Sequence, residues 1–465
     1  MKKILHSLIL FSLVFCSAGA AFGQKESVDT IRNRGIEMLT EVKEMVEEKY
    51  YDPTFRGIDL EKNFRAAREE IKKAERNGHV YSIIAQFLLD FNDSHLFFLP
   101  PDHTLSVDYG FRMKMIGDSC YISAVKKGSD AEKQGVKIGD LVYSLETFEP
   151  TRESLWKLQY FYYALSPQPA IRLVLQNPDK SLRPATVQAT IKTQKELEKE
   201  FKERQKKLKD AKEKDDKKDD KKDDKKEPSA FYKCREADAD LIACNLRTFV
   251  APEKEIDKMM SEVGEHKSMI LDLRGNGGGY VVTMKRLLGY FFEKDVKVGT
   301  EKMRKTSKDE IAKTLGDKIF KGKLIVLIDS NSGSASEVFS RVIQLEKRGT
   351  IVGDRSAGAV MTAIRGYNLY ERPTATFNAS NVTPYGISIT VADLIMSDGK
   401  SLEFTGVKPD ILILASGEDL FKKRDVALAR AAETLGFTLS SDAAGKFFTD
   451  ELPTEIEAPA ETEDN

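Results

Sequence analysis

A chain of 465 residues with 73 basic and 74 acidic side chains carries a formal net charge of -1, so nothing in its overall balance points to nucleic acid or an anionic membrane as a partner. That length exceeds what one hydrophobic core supports, and two or three domains are expected.

Residues 1–23 read as a cleaved signal peptide. Lys2 and Lys3 precede the apolar stretch Ile4 to Phe15, and Ala18-Gly19-Ala20 or Ala21-Phe22-Gly23 offers the small residues of a cleavage site. The apolar run is shorter than the ~20 residues of a membrane span, and Phe15 before Cys16 is too bulky for a usual lipidation site. The expectation is an exported protein, periplasmic or extracellular, with no integral membrane segment after cleavage. Cys120, Cys234 and Cys244 then remain in an oxidising compartment. Cys234 and Cys244 flank the turn-like segment Ala237 to Asp240, which leaves two alternatives: a disulfide across a hairpin, or two small buried hydrophobes. Neither these cysteines nor His79, His95, His103 and His266 show metal-ligand spacing, so no metal and no cofactor are expected.

Residues 24–103 read as a helical region, with Ile31, Leu39, Val42, Met45 and Val46 forming an apolar stripe and Asp93-Ser94-His95 near its end. Residues 104–194 read as short strands and turns with one helix. Residues 195–228 are dominated by Lys, Glu and Asp, including the repeat Asp215 to Lys222, and are read as a charged linker that cannot bury a core. Residues 229–436 show strand-then-helix patterning, and residues 437–465 form an acidic tail.

Residues 229–436 carry the chemistry. A strand-like Met269 to Leu273 runs into Arg274-Gly275-Asn276-Gly277-Gly278-Gly279 and then a helical Tyr280 to Glu293. Glycines so closely spaced leave main-chain amides able to approach an anion or oxyanion, while the dinucleotide and Walker spacings are absent. A second strand, Leu324 to Asp329, leads through Ser330-Asn331-Ser332-Gly333 to Ser334. A helix follows, with Ala335, Val338, Phe339, Val342 and Ile343 on one face and Gly349 expected to close it. Ser334 at this strand-to-helix turn suits a nucleophile, yet Ser334-x-x-Glu337 is also a capping box. The residues alone leave both readings open.

Asp272-Leu273-Arg274-Gly275-Asn276-Gly277-Gly278-Gly279, Ser334-Ala335-Ser336-Glu337, Val352 to Gly358 and Leu402 to Asp410 stand in the order seen in the C-terminal processing and tricorn-like serine peptidases, and the chain resembles that family. The resemblance implies a multi-domain α/β architecture with a βα catalytic core of the processing-peptidase type. It also implies Ser334 as nucleophile and the amides of Gly277, Gly278 and Ala335 as oxyanion donors. Where the processing branch has a lysine base, this chain has Ala359. The tricorn-like branch uses a histidine from a Ser-His motif, which Ser94-His95 matches, so the resemblance implies His95 as base and Glu403 as the acid that orients it. Residues 104–194 resemble a PDZ domain, and Tyr109-Gly110-Phe111 fits its peptide-carboxylate loop. The expected function is an exported serine endopeptidase acting on protein or peptide substrates, with no nucleic-acid partner. The alternative is an inactive family member that uses PDZ and cleft to hold peptides or other ligands.

Overall fold

A computed structural model describes residues 27–101, 105–177, 180–193, 229–367 and 385–448, with residues 196, 199, 202 and 203. The expected signal peptide, the charged repeat Asp215 to Lys222 and the end of the expected acidic tail lie outside the described residues.

The amino-terminal region is helical because its apolar residues recur at helical spacing and its caps are present. Ser27 accepts the Thr30 N–H ahead of the helix Val28–Lys49, and Asp59 does the same for Lys62 ahead of Leu60–Ile71. These helices and Asn77–Leu89 bury Ile31, Leu39, Val42, Val46, Ile71, Ile84 and Leu88 in one core, which also takes in Ile387 and Ile389. That shared core makes the helices part of the wall behind the site rather than a separate body.

Residues 105–193 form a compact β unit. A five-stranded antiparallel sheet runs Phe111–Ile116, Ser119–Val125, Leu141–Leu145, Ala170–Gln176 and Leu182–Gln188, and Leu105–Asp108 pairs with Thr190–Thr193 at the entry and exit. It docks on the rest of the chain through polar contacts. Arg152 donates to Arg355 O (3.0 Å) and Asp354 Oδ2 (2.5 Å), Gly117 N–H donates to Asp354 Oδ2 (2.9 Å), and Ser330 Oγ donates to Met115 O (2.6 Å).

The remaining chain builds a six-stranded sheet in the order Ile411–Leu412, Thr350–Gly353, Lys323–Ile328, Ser268–Asp272, Leu241–Leu246 and Tyr232–Asp238, parallel except for the last pair. Its central strands are apolar on both faces because helices cover both sides, as parallel sheets require. Cys234 and Cys244 are register partners in the antiparallel pair and are joined as a disulfide, so the hairpin alternative is the one the fold adopts. A second, five-stranded sheet holds Phe97–Leu99 against Gly386–Met396, which also pairs with Val296–Met303 and Thr362–Tyr367.

Two expectations about element ends need correction. Gly349 does not close the helix after Ser334: the helix ends at Leu345, and Lys347 takes the left-handed conformation (φ +54°). Gly349 serves close packing instead, since a Cβ there would lie 2.7 Å from Leu324 O. The packed core also runs past Gly436. Phe437, Leu439, Phe447 and Phe448 pack against the cluster that holds Ile270, Leu327 and Leu428, so the acidic tail begins later than residue 437.

Candidate active site

The strand Lys323–Ile328 is buried along all but its first residue and delivers the chain to Asp329. There the carboxylate accepts from Gly275 N–H (3.0 Å) and Asn331 N–H (2.9 Å) and pairs with Lys114 of the β unit (2.5 Å). Burial pushes the Asp329 carboxyl up, but Lys114 and these amides outweigh it and hold it below its ordinary value. The turn they brace ends at Ser334, with φ +52° and ψ -119°. A non-glycine residue persists in that region only where its surroundings over-determine it, and a strained strand-to-helix turn is how a nucleophilic serine is exposed at the end of a sheet.

The glycine loop lies directly against this turn. A Cβ on Gly278 (φ +103°) would fall 2.6 Å from Ser334 Cβ and 3.0 Å from Ala335 N, so only glycine permits the approach. Asn276, fully buried, ties the two loops together: its carbonyl accepts from Gly333 N–H (3.0 Å) and Ser336 Oγ (2.8 Å), and its Nδ2 donates to Leu246 O (3.0 Å). Its Oδ1 accepts the Gly278 N–H (2.9 Å), so that amide is spent within the loop. Of the three amides expected as oxyanion donors, those of Gly277 and Ala335 have no protein acceptor among the described residues. Arg274, in the same motif, is structural. It donates to Asp272 and Asp425, and although burial pulls its pKa down, these two carboxylates hold it well above the ordinary value.

His95 is carried to this place by strand pairing. Phe97, Phe98 and Leu99 register with Ser388, Ile387 and Gly386, which anchors the segment in the second sheet. Asp93, buried, accepts from His95 N–H (3.0 Å), Tyr50 OH (2.9 Å) and Thr390 Oγ1 (2.7 Å). Ser94 Oγ then lies 2.8 Å from His95 Nδ1 and donates to Glu403 Oε2 (2.9 Å), while Glu403 also takes the N–H groups of Ser94 (2.8 Å) and Val360 (3.0 Å). A carboxylate only accepts, so the Ser94 hydroxyl points at Glu403 and its lone pair receives Nδ1–H, leaving Nε2 of the imidazole unprotonated. Burial lowers the His95 pKa, Asp93 pulls it back up, and Arg365 lowers it further. Burial raises Glu403, against the pull of its three donors.

Ser94 is the residue that sequence reasoning passed over as a participant. The signal was its adjacency to His95, but only the position of Glu403, 309 residues further on, makes the hydroxyl a relay. The site elements meet across residues 356–360. Ser334 N–H donates to Ala359 O (2.8 Å), and the next residue, Val360, holds Glu403. Among the described residues His95 and Ser334 make no direct hydrogen bond. Such contacts are often loose without substrate and tighten when it binds.

Tyr109-Gly110-Phe111 is placed otherwise than as an open carboxylate receptor. Tyr109 is buried, with its hydroxyl donating to Gln168 O (2.9 Å), and Phe111 is buried in its strand. Gly110 N–H donates to Asp108 Oδ1 (2.8 Å), and Lys126 pairs with Asp108 Oδ2 (2.8 Å). The loop therefore already holds a carboxylate of its own.

Residues 243–413, which hold this glycine loop, the Ser334 turn and most of the parallel sheet, match the model of Peptidase family S41. Among curated relatives, the chain is 28% identical over 195 residues to a carboxy-terminal-processing protease of Bartonella bacilliformis, covering 41% of this chain and 42% of that one. It is 28% identical over 194 residues to a tail-specific protease of Haemophilus influenzae, covering 39% of this chain and 26% of that protein, so the matched segment spans less than half of either relative. The fold is also that of mature CPAF complexed with lactacystin, with TM-score 0.60 and 13% identity over 84% of this chain and 95% of that one.

Proposed function

We propose that this protein is an exported serine peptidase that cleaves peptide bonds in protein or peptide substrates. Ser334 attacks the carbonyl, the unprotonated Nε2 of His95 takes its proton and returns it to the leaving amine, and the amides of Gly277 and Ala335 receive the developing oxyanion. The observation that carries this reading is the Glu403–Ser94–His95 relay, which sets the tautomer of a base and closes onto the segment that clasps Ser334. A fluorophosphonate probe should label the purified protein at Ser334, with hydrolysis of an unfolded protein substrate as the companion assay. Absence of both would favour the inactive, ligand-holding alternative.

No step in this mechanism asks for a metal. Incubation with chelators is expected to leave the rate of peptide hydrolysis unchanged. A loss that zinc restores would overturn the mechanism.

The β unit of residues 105–193 is proposed to act as a PDZ module that takes an extended peptide by strand addition. Because Asp108 occupies the Gly110 amide, a terminal carboxylate must displace it, which weakens the preference for free C-termini. Asp108→Asn keeps a local acceptor and removes the competing charge. Calorimetry should show free-acid peptides gaining over amidated ones by at least about threefold in the variant, a fraction of the ~1 kcal/mol typical of a charge contact at a surface. Identical ratios in wild type and variant would mean the loop reads some other feature.

A further inference from the structure

Glu337 stands three residues after the proposed nucleophile and looks, in sequence, like a cap partner. Its surroundings are unusual for a cap. The side chain is fully buried, and four donors converge on its carboxylate: Ser334 N–H (3.0 Å) and Ala359 N–H (2.9 Å) on Oε2, Gly358 N–H (2.7 Å) and Ser356 Oγ (2.6 Å) on Oε1. A helix cap needs only the first of these. The other three belong to the segment that faces the turn from the neighbouring loop. Ser356 Oγ also accepts Val407 N–H (2.6 Å), and Phe404 N–H donates to Gly358 O (2.7 Å), so the turn that bears Glu403 is fastened to the same segment.

One buried carboxylate thus joins the nucleophile turn, the strap 356–360 and, through the strap, the acid of the relay. At position 359 the side chain is a methyl group, and the main-chain amides of Gly358 and Ala359 on Glu337 hold the strap.

We propose that Glu337 is a positioning residue for the reaction, one that sets the distance and orientation of Ser334 relative to the His95 relay by holding the strap 356–360 against the nucleophile turn. This rests on Ser334 being the nucleophile. Four donors and no acceptor around the carboxylate suit the ionised form. Burial pushes the group up to about 7 against the pull of those donors.

Glu337→Gln tests the proposal, since a carboxamide cannot accept from all four groups. Whichever way it turns, its NH2 faces either the Ser334 and Ala359 amides or the Gly358 amide and Ser356 hydroxyl. The measurement is kcat and KM for a short peptide, per active site titrated with a fluorophosphonate, together with the rate of labelling. The expected result is a kcat per titrated site lower by about 100-fold with KM within about threefold, because displacement by about 1 Å costs that much without touching ground-state binding. A defect in folding alone would lower the number of titratable sites and leave the rate per site intact. Should the glutamine variant fail to fold, Ser356→Ala decides: it removes one donor and the link to Val407, and kcat per site should fall about tenfold at constant KM.

Glu337→Gln labelled at Ser334 as fast as wild type, with unchanged kcat, would overturn the proposal and leave the serine reading standing. An unfolded glutamine variant with an unaffected Ser356→Ala enzyme would overturn it as well. Wild-type protein that takes no label at Ser334 would sink the serine reading first, and this proposal with it.

Discussion

Ser334→Ala is expected to lower kcat/KM by at least about a thousandfold while the protein stays folded, since loss of a nucleophile leaves only the residual catalysis of binding and oxyanion stabilisation. The alanine adopts the same positive φ at no greater cost than serine. The helix after it loses about 1 kcal/mol of capping, and Glu337 still holds the N–H at position 334. Circular dichroism and a fluorophosphonate label, read beside peptide hydrolysis, separate the two roles of the residue. Hydrolysis comparable to wild type in the folded variant would remove Ser334 from the mechanism. Its sequence neighbours would then be poor replacements, because Ser332 and Ser336 are fully buried and their hydroxyls donate to the carbonyls of Leu273 (2.8 Å) and Asn276 (2.8 Å).

His95→Gln should be nearly as damaging, with a loss of about a thousandfold in kcat, since general-base assistance is removed and the amide cannot take a proton. The pH dependence of the wild type supplies an independent check. Burial places the folded His95 pKa below its ordinary value of about 6.5, so the neutral base is present above that pH, and activity should fall as pH drops below it. The same sign holds for stability. Below about 6.5 the unfolded chain binds the proton more readily than the folded one, so the contribution of the neutral imidazole is lost as pH falls. Glu403, raised by burial, protonates on the same acid side and steepens the limb when its acceptor role fails. A profile of kcat/KM against pH whose limb lies above 7.5, or a His95→Gln enzyme with most of its activity, would require a different base.

Several features of this protein were legible in the residues themselves. The helix after Ser334 announces itself by apolar spacing. The strands Ser268–Asp272 and Lys323–Ile328 are apolar runs bounded by Asp and Gly, and their burial on both faces follows from that composition. The glycine loop was legible as a place of close approach, although the expected neighbour was an anion and the structure sets Ser334 against Gly278. Local chemistry governs all of these, so a local reading finds them. The end of the same helix was misjudged for the complementary reason. Gly349 is the expected stop, yet Lys347 bears the positive φ, and Gly349 is needed by the backbone of Leu324, far away in the chain. Likewise, Phe437, Leu439, Phe447 and Phe448 count as tail by position and as core by contact.

What the sequence by itself determined is the set of candidates for the chemistry: a serine at a strand-to-helix turn, amides freed by glycine, and a histidine next to a serine. What only the tertiary structure decided is which of these groups are still available and how they are held. Asn276 takes the Gly278 amide, Asp108 takes the Gly110 amide, and Glu403 reaches Ser94 across 309 residues of chain. The physical reason is that a hydrogen bond depends on distance and direction, to within a few tenths of an ångström, whereas residue order limits the reach of a side chain only over a turn or two of helix or across a hairpin. Partners brought together by sheet register and loop packing leave no mark in the local pattern of either segment, and so the donors that remain for an oxyanion emerge only once every other acceptor has been placed.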